Sequence, residues 1–514
     1  MFSKILSCGI RGVLGYPVMV EADVSDGLPG FVMVGYLSQE VRESEQRVRT
    51  ALRNTGFVLP PKKVTINLSP ADVRKEGTAY DLAIAAAVLC SLGQIEAAHV
   101  DKCAFFGELG LNGCVRPVKG ILSRVYAAAE AGVERCFLPT DNILEGTAVR
   151  GVEIVGVRDV KEMAELLKAP EKIRGKRFDG SLFQEKELID FDVDFSEISG
   201  QETVKRASLV AAAGMHNILF IGPAGTGKTM AARRIPTILP PLSLNESIEV
   251  SKIYSICGLL EKDKPLLTRR PFRSPHHSVT PPALVGGGKS PRPGEMSLAS
   301  AGVLFLDELP EFSARILDLL RQPMEEGSIT VARLNGAVVF PADTMVAAAM
   351  NPCKCGFYPD RGRCTCSETQ IRTYLSRISG PFLDRMDIGV EVPPVAYDVF
   401  QRKALPVQDS KTMRERVAVA REIQRERFKD SSTEFNSHMS KTEIVKYCSL
   451  SDEETMFLKQ VYKAYGFSAR AHDKILKTAR TIADLAEEKQ IGKMHISEAV
   501  SYRSFEKKYW AFRG

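Results

Sequence analysis

Two short runs of this 514-residue chain combine residues able to hold and cleave a polyphosphate. The first is Gly222-Pro223-Ala224-Gly225-Thr226-Gly227-Lys228-Thr229, spaced G-x-x-x-x-G-K-[ST]. Its glycines allow a loop whose backbone N–H groups converge on phosphate oxygens. A helix beginning there adds further donors and a partial positive charge. Gly222, Pro223, Gly225, Thr226, Gly227 and Lys228 are the expected nucleotide-binding residues, with Lys228 on the β- and γ-phosphates and the Thr229 hydroxyl on Mg²⁺. The second run, "GVLFLDELPEF" at 302–312, reads as a buried strand ending in two carboxylates. Ligands bind outside the carboxyl ends of parallel strands. Asp307 would therefore hold Mg²⁺, directly or through water, and Glu308 would polarise the attacking water as a base. A chance glycine turn or a solvated acidic turn explains either run alone; their order in one chain disfavours both alternatives.

A third cluster has different chemistry. Cys353, Cys355, Cys364 and Cys366 are spaced C-x-C, eight residues, C-x-C, around a Gly- and Pro-containing turn. Two short thiolate pairs brought together supply the four soft ligands of a structural Zn²⁺ site. Disulfides and unliganded thiols are the alternatives. The other seven of the 11 cysteines are scattered, and the N-terminus is a poor signal peptide. Both features point to a reducing cytoplasm, where disulfides are disfavoured. The net charge of +6 permits nucleic acid without arguing for it. No apolar run is long enough to span a bilayer, so no membrane partner is expected.

The elements that must position these groups follow from the patterning. Residues 1–170 mix β-rich runs with small-residue helices, the mark of an α/β domain. Residues 171–196 read as a charged linker. Residues 197–395 alternate strand and helix, as a second α/β unit with a mainly parallel sheet does, and the cysteines form an insertion at 353–366. Residues 396–514 read as helical. There Met413, Val417, Ala420, Ile423 and Phe428 share one helix face, and the arginines around them are expected to be solvated. "TMVAAAMN" at 344–351 reads as a strand ending in Asn351, where an ATPase of the AAA+ type positions water and the γ-phosphate. This favours hydrolysis over the kinase chemistry that the first two motifs also allow. In such an oligomeric ATPase Arg385 would reach the neighbouring subunit's site as an arginine finger, and Arg470 would sense phosphate from the lid. Surface or capping roles are the plainer alternatives.

The stretches "GQETVKRASLVAAAGMHNILFIGPAGTGKT", "PFRSPHHSVTPPALVGGG", "RPGEMSLASAGVLFLDELPEF", "LRQPMEEGSITVAR", "AAAMNPCKCG" and "SARAHDKILKTARTIADL" resemble the ComM/YifB branch of the magnesium-chelatase-like AAA+ ATPases. "GLPGFVMVGYLSQEVRESEQRVRTALRNTGF" and "NLSPADVRKEGTAYDLAIAAAVL" extend the likeness to nearly the whole chain. Ala224, where the family more often has Pro, is a departure in the variable part of the loop. The resemblance implies a homo-hexameric, DNA-dependent ATPase using ATP and Mg²⁺. Such a motor drives branch migration on single-stranded and branched DNA during natural transformation, alongside recombination proteins. Its relatives include motor subunits of magnesium chelatase, so a metal-insertion motor is a competing expectation.

Residues near 105–142 are similar to the proteolytic domain of Lon. A Lon dyad needs a serine and a lysine within hydrogen-bond reach. The matching positions hold Ala79 and Leu122, with Thr78 and Lys119 nearby. The expectation is a non-proteolytic module; an ATP-dependent protease built on a shifted Thr78/Lys119 pair is the remaining alternative. For DNA, residues 327–342 read as a hairpin with Arg333 near its tip, proposed to project into a pore. The Gly/Pro-rich basic run at 269–294 offers Lys289. Its His276 and His277 could ligate metal, hydrogen-bond within the loop, or touch DNA or a neighbouring subunit.

Overall fold

Strands β1 (Phe2–Arg11) and β2 (Leu14–Ser25) pair antiparallel, and β2 alternates buried and partly exposed positions along most of its length. That alternation is what a strand shows when one face is packed and the other is less covered. The computed structural model describes residues 1–179, 191–288, 291–333, 336–395 and 408–510. β3 (Gly30–Val34), β4 (Lys63–Ser69), β5 (Cys103–Phe105), β8 (Arg135–Pro139) and β9 (Glu153–Val157) complete a mixed seven-stranded sheet ordered β3-β4-β2-β1-β5-β8-β9. β6 (Glu108–Leu109) and β7 (Val115–Arg116) form a small separate hairpin. Helix Asp81–Ser91 lies against β1 and β2, and all 11 of its residues are buried. It is apolar all round because it is enclosed all round. Its alanines allow close approach to the sheet.

The chain divides into two compact units. The described residues of Met1–Leu188 form the first together with Ser243–Thr268 and Thr330–Val339. The segment from Ser243 brings helix Leu244–Cys257 with it, opened by a Ser243/Glu246 capping box. Within this unit Arg11 donates to the Ala337 carbonyl at 3.1 Å, holding one strand of the hairpin expected at 327–342. That hairpin is β13 (Ser328–Arg333) paired with β14 (Gly336–Pro341).

The second unit is built on a parallel five-stranded sheet ordered β11 (Phe272–Arg273), β12 (Val303–Leu306), β15 (Met345–Met350), β10 (Ile218–Ile221), β16 (Ile388–Glu391). Every residue of β10, β12 and β15 is buried, as expected where helices cover both faces. The C-terminal region is helical and packs on the same core: Met413, Val417, Ala420, Ile475, Ala479 and Ile482 join Val204 and Phe220. Each large apolar side chain so buried contributes about 1.5–3 kcal/mol. No helix among the described residues is long and apolar enough to cross a membrane.

The expected solvated arginine face on helix Ser410–Arg427 needs correction. Arg421 is buried and donates to the Ala212 carbonyl at 2.8 Å, and Arg414 donates to the Thr237 carbonyl at 2.8 Å. Arg427 pairs with buried Asp484. Long arginine stems cover apolar surface while their forked heads satisfy backbone carbonyls, so helical periodicity alone does not reveal them.

At the amino end of β16, buried Asp387 accepts from Lys474 Nζ at 2.6 Å and the Asn217 N–H at 2.9 Å, with His216 Nδ1 at 3.8 Å. Desolvation raises its pKa, but the Lys474 ammonium and His216 outweigh this and hold the carboxyl far below the usual range. The same burial pushes Lys474 down, opposed by Asp387. The donors converging on one carboxylate make its ionised form the favoured one. A depressed carboxylate contributes stability above its unfolded pKa, near 3.9, and loses it as pH falls toward the folded value. Asp387→Asn is therefore expected to lower unfolding free energy by about 3–5 kcal/mol at pH 7. Urea titrations at pH 7 and pH 3 should show the difference shrinking in acid.

Candidate active site

β10 ends directly at the glycine loop, and helix Lys228–Ile238 begins at its last turn. Gly225 and Gly227 have φ of +75° and +90°, the left-handed region that favours glycine. At Gly222 a Cβ would lie 2.3 Å from the Val392 carbonyl oxygen, so no side chain fits. Lys228 Nζ donates to the carbonyls of Gly222 and Pro223 at 2.8 and 2.6 Å and to Asn351 Oδ1 at 3.0 Å. Burial pushes its pKa down, and Asp307 opposes that shift. The central position of β15, between β10 and β12, is what brings Asn351 between the lysine and the carboxylates.

Thr229 Oγ1 donates to Asp307 Oδ2 at 2.8 Å. Two oxygens on adjacent corners of a Mg²⁺ octahedron with bonds of 2.0–2.1 Å are about 3.0 Å apart, so this pair fits that ion. Glu308 follows with φ +51°, a left-handed conformation costing roughly 1–2 kcal/mol in a non-glycine residue. Its side chain is 68% exposed, open to water. His277 Nδ1 sits 3.7 Å from Glu308 Oε2, and the His276 ring centroid is 3.9 Å from that of His277. The pair of histidines thus faces the carboxylate proposed as base. Among the described residues the candidate metal cluster is the four cysteines, not these histidines.

Sequence reasoning missed Gln201. Its Nε2 donates to the Thr226 carbonyl at 2.8 Å and the Pro393 carbonyl at 3.1 Å, bracing the glycine loop from outside. A glutamine ahead of a helix carries no signal of such a role until the fold brings position 201 to position 226.

Arg385 and Arg470 line one cavity of about 610 Å³ with Asn217, Glu325, Asp343 and Lys474. This cavity lies at the amino ends of β10, β15 and β16, whereas the glycine loop leaves the carboxyl end of β10. Four strand residues separate the two ends by roughly 13 Å. Arg470 consequently does not face its own chain's phosphate loop. It is 65% exposed, with Asp384 at 3.5 Å. Arg385 is buried, pairs with Glu325 at 2.7 Å and donates to the Pro381 carbonyl at 2.9 Å.

The four cysteine sulfurs lie within 4.8 Å of one another. Cys353 is 3.3 Å from Cys355 and 3.8 Å from Cys364, and Cys355 is 3.6 Å from Cys364. A tetrahedron with Zn–S bonds near 2.3 Å has edges of about 3.8 Å, so the donor set fits Zn²⁺. Desolvation raises the Cys355 thiol, but the Phe357 N–H and neighbouring thiols pull it down to about 6. Desolvation together with the adjacent sulfurs raises Cys364 to about 11.

Of the DNA-contact expectations, Lys289 and the Arg333 side chain lie outside the described residues. In the first unit Ala79 and Leu122 are buried. Thr78 gives its hydroxyl to Glu108 at 2.5 Å, and exposed Lys119 lies beside Gly258.

A parallel sheet with a glycine phosphate loop, and a Thr/Asp pair shaped for a divalent cation, define a P-loop nucleotide-binding protein. Three family matches refine that class: residues 194–400 to "Magnesium chelatase, subunit ChlI", residues 20–142 to "Subunit ChlI of Mg-chelatase" and residues 407–503 to "Magnesium chelatase, subunit ChlI C-terminal". The chain is 40% identical over 504 residues to competence protein ComM of Haemophilus influenzae, covering 97% of each chain. It is 40% identical over 497 residues to protein YifB of Escherichia coli, covering 96% of each. It is also 28% identical over 215 residues to the magnesium-chelatase 38 kDa subunit of Cereibacter sphaeroides, over 38% of this chain and 58% of that one. The chain belongs to the ComM/YifB branch of the magnesium-chelatase-like AAA+ family.

Proposed function

We propose that this chain is an ATP hydrolase that works as a ring and moves on DNA to promote branch migration while incoming DNA is integrated in natural transformation. The observation that carries the ATPase reading is the pairing of Lys228 with Asn351 at 3.0 Å and of Thr229 with Asp307 at 2.8 Å at the end of the glycine loop, with Glu308 following Asp307. In it Lys228 and the loop N–H groups hold the phosphates, Thr229 and Asp307 hold Mg²⁺, and Glu308 orients water. Bound Mg²⁺ would neutralise charge developing on the phosphate oxygens.

Ring assembly, as a homo-hexamer, is supported by the arginines lying at the sheet end away from the phosphate loop, from which they would serve a neighbouring subunit. The DNA role is supported by full-length similarity to a protein named for competence. A metal-insertion motor is the second reading, supported by the shorter match to a magnesium-chelatase subunit. Proteolysis is disfavoured, since the Thr78 hydroxyl is engaged by Glu108 and the dyad positions are apolar. Zn²⁺ on the four cysteines would be structural.

The test is ATP turnover with and without single-stranded DNA, together with unwinding of forked and three-stranded substrates. Stimulation of at least severalfold is expected. Arg333→Ala or Lys289→Ala should reduce DNA-stimulated hydrolysis more than basal hydrolysis. No stimulation and no unwinding would favour the metal-insertion reading; equal loss of both rates in the variants would remove these residues from the DNA path.

A further inference from the structure

The cysteine cluster is joined to the phosphate site in two ways. The first is along the chain. Asn351, which accepts from Lys228 Nζ at 3.0 Å, stands two residues ahead of fully buried Cys353. The second is through space. Gly356, in the turn after Cys355, lies next to the phosphate loop: a Cβ added there would just make van der Waals contact, 3.5 Å from Pro223 Cα and 3.7 Å from the Ala224 nitrogen. The turn is shaped by the cysteines themselves. The Gly356 N–H donates to the Cys353 carbonyl at 3.1 Å, and the Tyr358 N–H to Cys353 Sγ at 3.4 Å. Gly356 adopts φ +85°, so its placement against the loop uses a conformation that other residues rarely take.

These contacts make the Cys353–Gly356 turn one wall of the loop that holds phosphate. A phosphate loop binds through backbone N–H groups, and its affinity depends on those groups already pointing inward. Four sulfurs drawn together by one ion fix the turn; four separate thiols leave it to its few local hydrogen bonds. We propose that a zinc ion on Cys353, Cys355, Cys364 and Cys366 sets the shape of the phosphate loop, so that nucleotide affinity depends on zinc occupancy. This rests on the ATP-site and zinc readings given above and adds a coupling between them.

The experiment uses the full chain. Zinc is counted by elemental analysis, then removed with a chelator that is itself dialysed away before Mg²⁺ is restored. Binding of a fluorescent ATP analogue is measured on the loaded, stripped and zinc-reloaded protein, with circular dichroism as the check on folding. The expected result is at least a tenfold weaker Kd on stripping, recovered with about one equivalent of zinc. Cys364→Ser/Cys366→Ser, altered at the pair farther along the chain from Gly356, should show the same loss without chelation. Gly356→Ala, strained at φ +85° so that the turn must shift beside Pro223, should weaken the analogue severalfold while keeping zinc.

Stripped protein that stays folded and binds the analogue as tightly as loaded protein would overturn the proposal. If stripping unfolds the chain, zinc-loaded Gly356→Ala decides: unchanged affinity overturns the coupling, and weakened affinity supports it. Protein that holds no zinc yet binds the analogue sinks the zinc reading, and the coupling with it, but leaves the ATP site standing. Zinc-loaded protein whose binding is absent, or indifferent to Lys228→Ala, sinks the ATP-site reading instead.

Discussion

Glu308→Gln is expected to lower ATP turnover by about 10²–10⁴-fold, the usual contribution of a positioned base, while nucleotide binding is retained. The amide keeps the size of the carboxylate but cannot accept a proton from water. Glu308 is suited to this test because its side chain is 68% exposed and its N–H bonds Asp307 Oδ1 at 2.9 Å, so the carboxyl itself is not needed to hold the loop. Single-turnover hydrolysis and equilibrium binding of labelled ATP separate the two effects. Turnover within a factor of a few of the parent would move the base elsewhere. A large loss of affinity would instead mark Glu308 as a ligand of the nucleotide or its metal.

Arg385→Ala has the other large expected effect, a fall in turnover of about 10³–10⁵-fold if its guanidinium completes a neighbouring site. The decisive measurement mixes this variant with Glu308→Gln. Each is expected to be inactive alone, but an Arg385→Ala subunit keeps its own Glu308 and would receive the arginine of a Glu308→Gln neighbour. In a random equal mixture roughly a quarter of head-to-tail contacts pair an intact base with an intact arginine, and activity returns accordingly. No recovery on mixing would place the function of Arg385 within its own chain. Since Arg385 also pairs with Glu325 at 2.7 Å, unfolding curves must accompany the rates. Arg385→Lys keeps the charge without the planar fork and is expected to restore little.

How much of this was legible in the sequence depends on the range of each interaction. The glycine loop, the strand before it and the helix after it are contiguous, so spacing alone located residues 222–229. Asp307 and Glu308 were found because an apolar strand announced its own end. Asn351 was found for the same reason, although only the strand order explains why it meets Lys228. Gln201 was missed because nothing local distinguishes it. The arginines of helix Ser410–Arg427 were misjudged because periodicity identifies an apolar face but does not say which cations reach over its edge to a carbonyl. The placement of Arg470 followed no local rule either. A residue on a helix more than two hundred positions after the phosphate loop can face either end of the sheet, and the packing of that helix at the amino ends of the strands decides it.

If Arg385 and Arg470 serve a neighbouring phosphate loop, the two ends of the parallel sheet would carry different halves of one reaction, which would limit the symmetry that can unite them. A twofold interface is self-complementary, so if one patch held both ends it would set each arginine against the other subunit's phosphate loop and stop at two. Where the two ends lie in separate patches, a head-to-tail operator is what brings unlike ends together. Such an operator has no natural stopping point except closure: an open row always leaves one terminal subunit with a phosphate loop that no arginine reaches. Completeness of every site then becomes a property of the closed circle, and the number of working sites changes in a step when the last contact forms.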